Sequence, residues 1–228
     1  MPIPWNDDPP GSAAQIEANL RAVGDQIVAA ARLRLDPSVA MAQQWHRDTY
    51  RGIRLPVSYY AGEVRDSDPA YPDLIDYEVA IGITPGVPAA HVPAALTRFE
   101  AAMTAVVGRM DGVVAAGTGP SNVADLHAVL EVAALAHGEW VRIHPFANGN
   151  GRTARLWANW VAVRYGLPFF LALKPRPVAL IYAAAARASM RGDDRPMVVA
   201  LLTLLNQHVG DQLSPDPPMD RGQRAFDG

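Results

Sequence analysis

The sequence predicts an all-α domain that carries one small β-hairpin. Two observations favour this class. Through most of the 228 residues, apolar side chains recur every three or four positions, which is the period of helices with one buried face. One short stretch, residues 77–83, alternates instead and is β-rich, which is typical of a strand. Hydrophobic residues make up 50% of the chain, so the helices can bury a substantial core.

Two helices are expected before the hairpin. Ser12 is a suitable N-cap for a helix that continues to about residue 34. Its apolar positions along one side are Ile16, Leu20, Val23, Ile27 and Ala30. Asp36 and Pro37 open a second helix, 36–50, because proline suits the first helical turn. Residues 52–72 contain several Pro and Gly breakers and are expected to be irregular.

The hairpin and five further helices complete the expected order. After the strand at 77–83, Pro85 and Gly86 form the turn, and an extended return follows through 87–91. Gly166 is a natural residue to follow the end of a helix, and Ser121 is a natural cap at the start of another. The five helices are expected at 93–110, from 121 towards 144, at 152–165, at 177–190 and at 196–209.

These elements are expected to form one main domain, and the sequence shows no internal repeat. Residues 1–11 are rich in proline and acid and indicate a flexible arm. Residues 12–44 hold the N-terminal helices, and residues 45–209 form the main domain. Residues 210–228 are expected to be a disordered tail.

Composition argues against several classes of protein. A net charge of −3 gives no reason to expect nucleic-acid binding, and the lack of cysteine excludes disulfides and thiolate metal sites. The N-terminal residues do not resemble a secretory signal. No run of about 18 apolar residues argues for a membrane span. A cytoplasmic location is expected, or delivery to another cell by a route that the sequence does not show.

The twelve residues from His144 to Arg155 read HPFANGNGRTAR and combine groups that suit phosphate chemistry. An imidazole can take up a proton near neutral pH. Gly149 and Gly151 let the backbone approach an anion closely, and amides at a helix N-terminus attract anions. Arg152 lies three positions before Arg155, so both can reach phosphate oxygens from one helix face.

This segment resembles the signature of the Fic family, H-x-F-x-[D/E]-G-N-G-R-x-x-R. Seven of its eight specified positions match, and Asn148 stands where the family usually has an acid. The likeness extends over residues 45–209 through two shorter matches, Ala-Gly-Glu-Val-Arg at 61–65 and Gly-Asp-Asp-Arg-Pro at 192–196. It implies a mainly helical Fic fold with a hairpin flap upstream of the signature. Family members typically transfer a nucleoside monophosphate, most often AMP from ATP, to a hydroxyl side chain of another protein.

The resemblance implies a role for each matching residue. His144 would be the base that takes the proton of a target Ser, Thr or Tyr hydroxyl, and Phe146 would pack under the loop. Arg152 would bind the departing phosphates and Arg155 the terminal phosphate. Donors to the phosphoryl oxygens are expected from Gly149, Asn150 and Gly151.

The implied partners are a nucleotide and a target protein. The flap would pair its edge with a segment of the target, since strand addition holds a backbone in register. The flap residues expected to do this are Tyr77, Val79, Ile81 and Ile83.

A magnesium ion is also implied, with its site altered by Asn148. An acid at this position would bind Mg²⁺ that bridges the α- and β-phosphates, and hard cations favour charged oxygens. Asn148 offers a neutral carbonyl oxygen instead. Three outcomes are open: weaker metal binding with the same reaction, a different donor, or nucleotide binding without catalysis.

An inhibitory element is a further expectation from the resemblance. Many Fic proteins carry a helix that reads [S/T]-x-x-x-E-[G/N], whose glutamate pairs with the last arginine of the signature. Residues 13–19, Ala-Ala-Gln-Ile-Glu-Ala-Asn, resemble it, so Glu17 is expected to pair with Arg155. Without that pairing, inhibition would come from a separate small protein or be absent.

Alternative functions stay open. The chain could be a catalytically weak module that binds nucleotide or a partner protein, or it could transfer phosphocholine or phosphate from another donor. Two other histidines are expected to have structural roles. His46 lacks a partner at metal-ligand spacing, and His137 is expected near the core. Trp157 and Trp160 are also expected in the core, and Tyr182 could line an adenine pocket or the core.

Overall fold

The computed structural model describes residues 2–6, 8–66, 68–177 and 180–213, and it confirms the mainly helical fold with one hairpin. The helices are α1 (Ala13–Arg32), α2 (Val39–Thr49), α3 (Val92–Asp111), α4 (Val123–Ile143), α5 (Asn150–Arg164), α6 (Leu180–Ser189) and α7 (Arg195–Leu213). The hairpin consists of β1 (Ala80–Ile81) and β2 (Thr84–Pro85), which pair antiparallel.

Helices α4 and α5 form the centre of the fold. They pack against each other, α3, α6 and α7 cover α4, and α1 lies on α5. Trp140, Trp157 and Trp160 are fully buried between these helices, which confirms the core position expected for the last two. Because the loop between α4 and α5 carries the signature, the best-packed part of the molecule positions it.

A second apolar cluster brings the N-terminal residues onto the body of the protein. Trp5 is only 3% exposed and contacts the ring of Tyr50 edge-on, with 4.7 Å between ring centroids. Its backbone N–H also donates to the hydroxyl of Tyr77 at 2.9 Å. The arm expected to be flexible is therefore packed at Trp5, because this large aromatic side chain finds a buried site.

Two helices begin at residues other than those expected. Helix α2 begins after Ser38, whose hydroxyl accepts from the N–H of Met41 at 3.2 Å, and so not at Asp36 and Pro37. Helix α4 is capped by Asn122 rather than Ser121, since the Asn122 side chain accepts from Asp125 N–H. In both cases the side-chain acceptor that reaches a free amide decides the start.

Ser12 does precede α1, but its hydroxyl does not cap the helix. It donates to the carbonyl of Pro9 at 2.6 Å instead. At the other end of the chain, α7 extends to Leu213, beyond the expected end at 209. Residues 214–228, which make up most of the expected tail, lie outside the described residues.

The hairpin is shorter than the alternating pattern suggested. Its strands have two residues each, and the turn lies at Gly82 and Ile83 rather than at Pro85 and Gly86. Gly82 has φ 59°, which glycine tolerates without a steric penalty. The expected return strand ends early because the N–H of Val87 donates to the carbonyl of Arg142 on α4.

Candidate functional site

The loop that carries the signature begins and ends on left-handed residues. His144, which follows α4, has φ 54° and ψ 55°, and Gly149, which precedes α5, has φ 79° and ψ −2°. The N–H of His144 still donates to the carbonyl of Trp140 at 2.9 Å. The imidazole is thereby held at the end of a rigid helix, next to the start of the following one.

The imidazole of His144 is held in one neutral form. Its Nδ1 lies 2.7 Å from the carbonyl oxygen of Val141. A carbonyl can only accept, so Nδ1 carries the proton and Nε2 keeps its lone pair. Burial lowers the pKa of His144 to about 4, with the Val141 carbonyl raising it and the charge of Arg65 lowering it further. His144 is therefore neutral near pH 7, with the lone pair of Nε2 able to accept a proton.

A second histidine, His46, contacts the loop through its ring and through a hydrogen bond. Its ring stacks on that of Phe146 with 3.8 Å between centroids. Its Nδ1 accepts from the N–H of Gly62 at 2.9 Å, so its Nε2 donates to the carbonyl of Asn148 at 2.9 Å. Burial lowers the pKa of His46 to about 3. No spacing rule could have indicated this contact, because His46 and Asn148 lie 102 positions apart.

The side chain of Asn150 has a role in the loop that the sequence did not predict. Its side-chain oxygen accepts from the N–H of Phe146 at 2.9 Å, and its amide nitrogen donates to the Phe146 carbonyl at 2.8 Å. The residue is 2% exposed. Since both ends of the amide are bound to the backbone, the Asn150 side chain closes the loop and is not available to a ligand.

The start of α5 nevertheless offers backbone donors. The N–H groups of Arg152 and Thr153 both donate to the Gly149 carbonyl. Those of Asn150 and Gly151 have no backbone acceptor within the described residues. Free N–H groups at a helix N-terminus attract an anion. The anion site that the sequence predicts would therefore use the backbone N–H groups of Asn150 and Gly151.

The two arginines of the signature point to different surroundings. Arg155 is 5% exposed, donates to the carbonyl of Leu173 at 2.7 Å, and has a buried Nε without a hydrogen-bond partner. Arg152 instead forms a two-fold contact with Asp8 of the N-terminal arm, at 2.6 and 3.2 Å. Lys174 lies 3.5 Å from the same carboxylate. In this structure Asp8 holds Arg152 while Arg155 donates to Leu173. The expectation that both arginines bind one ligand stays a prediction.

The expected pairing of Glu17 with Arg155 is not formed. Glu17 is exposed and pairs with Arg21, four residues along the same helix. Its side chain lies outside the buried stripe of α1, which instead contains Ile16 and Leu20. The carboxylate that contacts a signature arginine comes from the arm, at Asp8, and not from Glu17.

Asn148 does not form the basis of a metal site by itself. Its side-chain oxygen accepts from the N–H of Gly149 at 2.6 Å. Across the described ranges, no group of three or more His, Cys, Asp or Glu side chains could hold a metal ion. The residues present thus do not fit a protein-built magnesium centre, in which charged oxygen ligands would be expected.

His144 lines two cavities of opposite charge. The first, of about 400 Å³, contains Arg155, Arg176 and Arg187, and its described lining has no carboxylate. The second, of about 430 Å³, contains Asp76 and Glu78, and no Lys or Arg is found in its described lining. We call these the arginine cavity and the acidic cavity.

The arginine cavity also contains Tyr182, which the sequence left open between an adenine pocket and the core. Tyr182 is buried and lines the cavity, and its hydroxyl lies 2.7 Å from Nε2 of His137. Burial lowers the pKa of His137 to about 3. Gly151 is part of the same lining. The hydrogen-bonded pair of His137 and Tyr182 therefore meets three arginines beside Gly151, one of the predicted phosphate-binding glycines.

The flap residues divide into two groups. Ile81 and Ile83 are exposed, and Ile83 at the turn is exposed completely. Tyr77 is 7% exposed and Val79 is partly buried, and both belong to the second apolar cluster. Tyr77 and Val79 precede β1, although the carbonyl of Val79 still accepts from the N–H of Gly86 at 3.0 Å. Their contact with a target protein stays a prediction. The side chains there are needed to pack the arm and the hairpin base.

Comparison with known protein families identifies the family to which this chain belongs. The profile of the Fic/DOC family matches residues 36–162, which is more than half of the chain. The chain belongs to the Fic/DOC family. In this Fic protein the matched region begins before α2 and ends near the end of α5, so it includes the hairpin and the whole signature.

A curated relative covers a smaller part of the Fic chain. Protein adenylyltransferase fic-1 of Caenorhabditis elegans is 42% identical over 69 residues, which is 30% of this chain and 13% of that protein. The Fic chain therefore spans only a small part of the relative's length.

The described helices include none long and apolar enough to cross a bilayer.

Solved structures share the Fic fold. A Fic domain containing signalling protein of Bacteroides thetaiotaomicron aligns with a TM-score of 0.63 at 19% identity, covering 90% of this chain and 73% of that one. The BepC protein of Bartonella tribocorum, solved with bound AMPPNP, aligns with a TM-score of 0.53 at 15% identity, covering 85% and 86%.

Proposed function

We propose that this protein is a nucleotidyltransferase that moves AMP from ATP to a Ser, Thr or Tyr hydroxyl of another protein. The observation that carries the proposal is the place of His144 between the arginine cavity and the acidic cavity. A base between two cavities can meet an anionic donor from one side and an acceptor from the other. The name of the C. elegans relative, a protein adenylyltransferase, supports the same reaction.

The donor would bind in the arginine cavity. Arg155 lines this cavity, and a guanidinium binds phosphate oxygens strongly. The free amides of Asn150 and Gly151 add an anion site at the helix start. A cavity of about 400 Å³ is within the range that binds small ligands. The bound AMPPNP in the structure of BepC agrees with a nucleotide as the ligand.

The transfer step follows from these positions. The hydroxyl oxygen of the acceptor attacks the α-phosphorus of ATP, and its proton passes to Nε2 of His144. The bond from the α-phosphorus to the bridging oxygen breaks, and pyrophosphate leaves. Arg155 and the amides at the start of α5 would stabilise the charge that builds on the phosphoryl oxygens.

The acceptor would enter from the acidic cavity and lie against the hairpin. That cavity is lined by Ala80, the first pairing residue of β1, and by Val79, which precedes it. The exposed side chains of Ile81 and Ile83 would contact the target segment, while backbone pairing along β1 would hold it.

Arg152 takes part only after it leaves Asp8. In the structure both terminal nitrogens of Arg152 are bound to that carboxylate. Phosphates that use Arg152 must therefore displace Asp8, and part of their binding energy is lost in doing so. Any Mg²⁺ would arrive with the phosphates of ATP, since Asn148 supplies only one neutral oxygen.

The test is transfer of radiolabel from [α-³²P]ATP to protein. Purified protein is incubated with MgATP and a cell lysate, beside His144→Ala and the control His127→Ala, an exposed histidine. We expect labelled bands with the unaltered protein and with His127→Ala, and a loss of at least 100-fold with His144→Ala. Labelling that persists in His144→Ala would overturn the role of this base.

The second candidate function is a nucleotide-binding module without transfer. Two observations favour it: Asp8 neutralises Arg152, and Asn148 lacks the charge of the usual acid. Saturable binding of ATP to the unaltered protein, with no label transferred to any protein, would support this candidate against the enzyme.

A further inference from the structure

Arg65 is a buried arginine that binds four backbone carbonyls. Its Nε donates to His144 and its Nη1 donates to Tyr77, each at 2.8 Å. Its Nη2 donates to Val87 at 2.8 Å and to Ile143 at 3.0 Å. The side chain is 0% exposed, so all of these bonds form away from water.

The four carbonyls belong to two segments with separate roles in the proposed reaction. His144 and its predecessor end α4 and begin the signature loop. Tyr77 and Val87 lie on the two sides of the hairpin, before β1 and after β2. The backbone N–H of Arg65 adds a bond to the carbonyl of Pro145 at 2.8 Å. One residue therefore ties both sides of the hairpin to the loop that holds the base.

Only arginine has the donor geometry for this arrangement. Its guanidinium presents five N–H groups in a plane, whereas lysine presents three from one nitrogen. Burial lowers the pKa of Arg65 to about 10, so the group remains charged at neutral pH. The carboxylate of Glu78 lies 3.7 Å from Nη1. A buried charge is a costly way to fill a core, which favours a role beyond packing.

We propose that Arg65 is a positioning residue for the transfer reaction, holding the hairpin that receives the acceptor at a fixed distance from His144. The inference rests on the proposed function. Arg65 is not among the described lining residues of either cavity, so it acts through the backbone that it holds. A displacement of about 1 Å between reacting groups can lower a rate by about 100-fold.

Arg164 provides a matched control for loss of a buried arginine. It is 4% exposed, forms a two-fold contact with Asp111 at 3.1 and 2.6 Å, and donates to the carbonyl of Leu35 at 2.9 Å. None of these partners belongs to the loop or the hairpin. Arg164→Lys therefore loses comparable buried contacts without loosening the site.

The kinetic test compares Arg65→Lys with Arg164→Lys in the full chain. For each, ATP affinity is measured by calorimetry and AMP transfer by single-turnover labelling at saturating ATP. We expect ATP dissociation constants within about twofold of the unaltered protein for both variants. The transfer rate should fall about 100-fold in Arg65→Lys and less than threefold in Arg164→Lys. Equal losses of rate in the two variants would show that Arg65 is only structural and overturn the proposal.

Hydrogen exchange tests the coupling without any transfer. The N–H groups of Gly86, Val87 and His144 are hydrogen-bonded in the structure. In Arg65→Lys we expect all three to exchange at least tenfold faster, and in Arg164→Lys we expect no change. Faster exchange on one side only, or on neither, would overturn the coupling. If the unaltered protein transfers no AMP, the proposed function fails, while this result still decides whether Arg65 joins hairpin and loop.

A second variant covers failure to fold. If Arg65→Lys is unfolded at 25 °C, Arg65→Gln, which is shorter and uncharged, is measured by the same exchange experiment. Joint loss of protection at Val87 and His144 in the folded variant supports the proposal, and retained protection at either overturns it.

Discussion

Carbonyl oxygens fix the proton positions of two histidines around the loop. The Val141 carbonyl holds the proton of His144 on Nδ1, and the Asn148 carbonyl holds that of His46 on Nε2. The first arrangement leaves Nε2 of His144 free to take up a proton. In the second, both ring nitrogens are used, so His46 supports the loop and cannot act as a base.

Asp8 should compete with ATP for Arg152. Both side chains are mostly buried, with 25% and 15% exposed, so their two-fold contact is stronger than a surface ion pair. We expect Asp8→Asn to lower the ATP dissociation constant by roughly fivefold, since such a contact is worth about 1 kcal/mol. Calorimetric titration with ATP measures the change.

Glu17→Gln is the control for that measurement. It also removes one carboxylate near the N-terminus, but that carboxylate belongs to an exposed pair with Arg21 and does not contact Arg152. We expect its ATP affinity to stay unchanged. Tighter binding in Glu17→Gln together with unchanged binding in Asp8→Asn would contradict the structure and restore the inhibitory role first expected for Glu17.

At the scale of elements, the site depends on how α4 passes into α5. The chain turns at His144 and again at Gly149, and the side chain of Asn150 closes the loop between them. The second turn leaves no room for a side chain. A Cβ added to Gly149 would lie 2.7 Å from Nε2 of His46 and 2.8 Å from the hydroxyl of Tyr50.

Gly149→Ala should therefore destabilise the protein. We expect the free energy of unfolding to fall by about 2–4 kcal/mol, the sum of a left-handed alanine and an overpacked contact. Gly151→Ala is the control, because its Cβ would meet only Nη1 of Arg155, at 3.6 Å. Denaturant unfolding of both variants tests this, and equal stabilities would contradict it.

At the scale of the whole molecule, the site lies where two apolar clusters meet. The larger cluster contains Phe146 and the faces of α4 and α5. The smaller one contains Trp5, Tyr50 and Ala147. Neighbouring residues of the loop thus belong to different clusters, so loss of either cluster would move the loop.

Buried neutral histidines make the fold sensitive to acid. Burial lowers the pKa of His46 and His137 to about 3 and that of His144 to about 4. In the unfolded chain each titrates near 6.5, so the unfolded state binds more protons as the pH falls below that value. Burial raises the pKa of Asp194 to about 6, which acts in the opposite direction.

The free energy of unfolding should therefore fall as the pH falls from about 6 to about 4. Over this range the three histidines lower the free energy of unfolding and Asp194 raises it. The net slope is on the order of 1–3 kcal/mol per pH unit. Urea unfolding at pH 6, 5 and 4 measures the slope. A free energy that stays constant over this range would show that these histidines are protonated in the folded protein.

The sequence predicted the elements but only part of the site. Helical periodicity placed α1 and α3 to within two residues, because the apolar spacing is a local property. It placed the start of α2 less well, since the capping role of Ser38 depends on which hydroxyl reaches an amide. It did not reveal that the Asn150 side chain closes the loop or that Glu17 pairs with Arg21, because these contacts depend on neighbours that spacing does not show.

By itself, the sequence determined the helical fold, the hairpin and the loop from His144 to Arg155, because periodicity, turn residues and the signature act over a few neighbouring positions. Only the tertiary structure decided that Asp8 holds Arg152, that His46 supports the loop and that Arg65 joins it to the hairpin. Those contacts link residues 79 to 144 positions apart. The packing of the whole chain brings them together, and no local pattern records it.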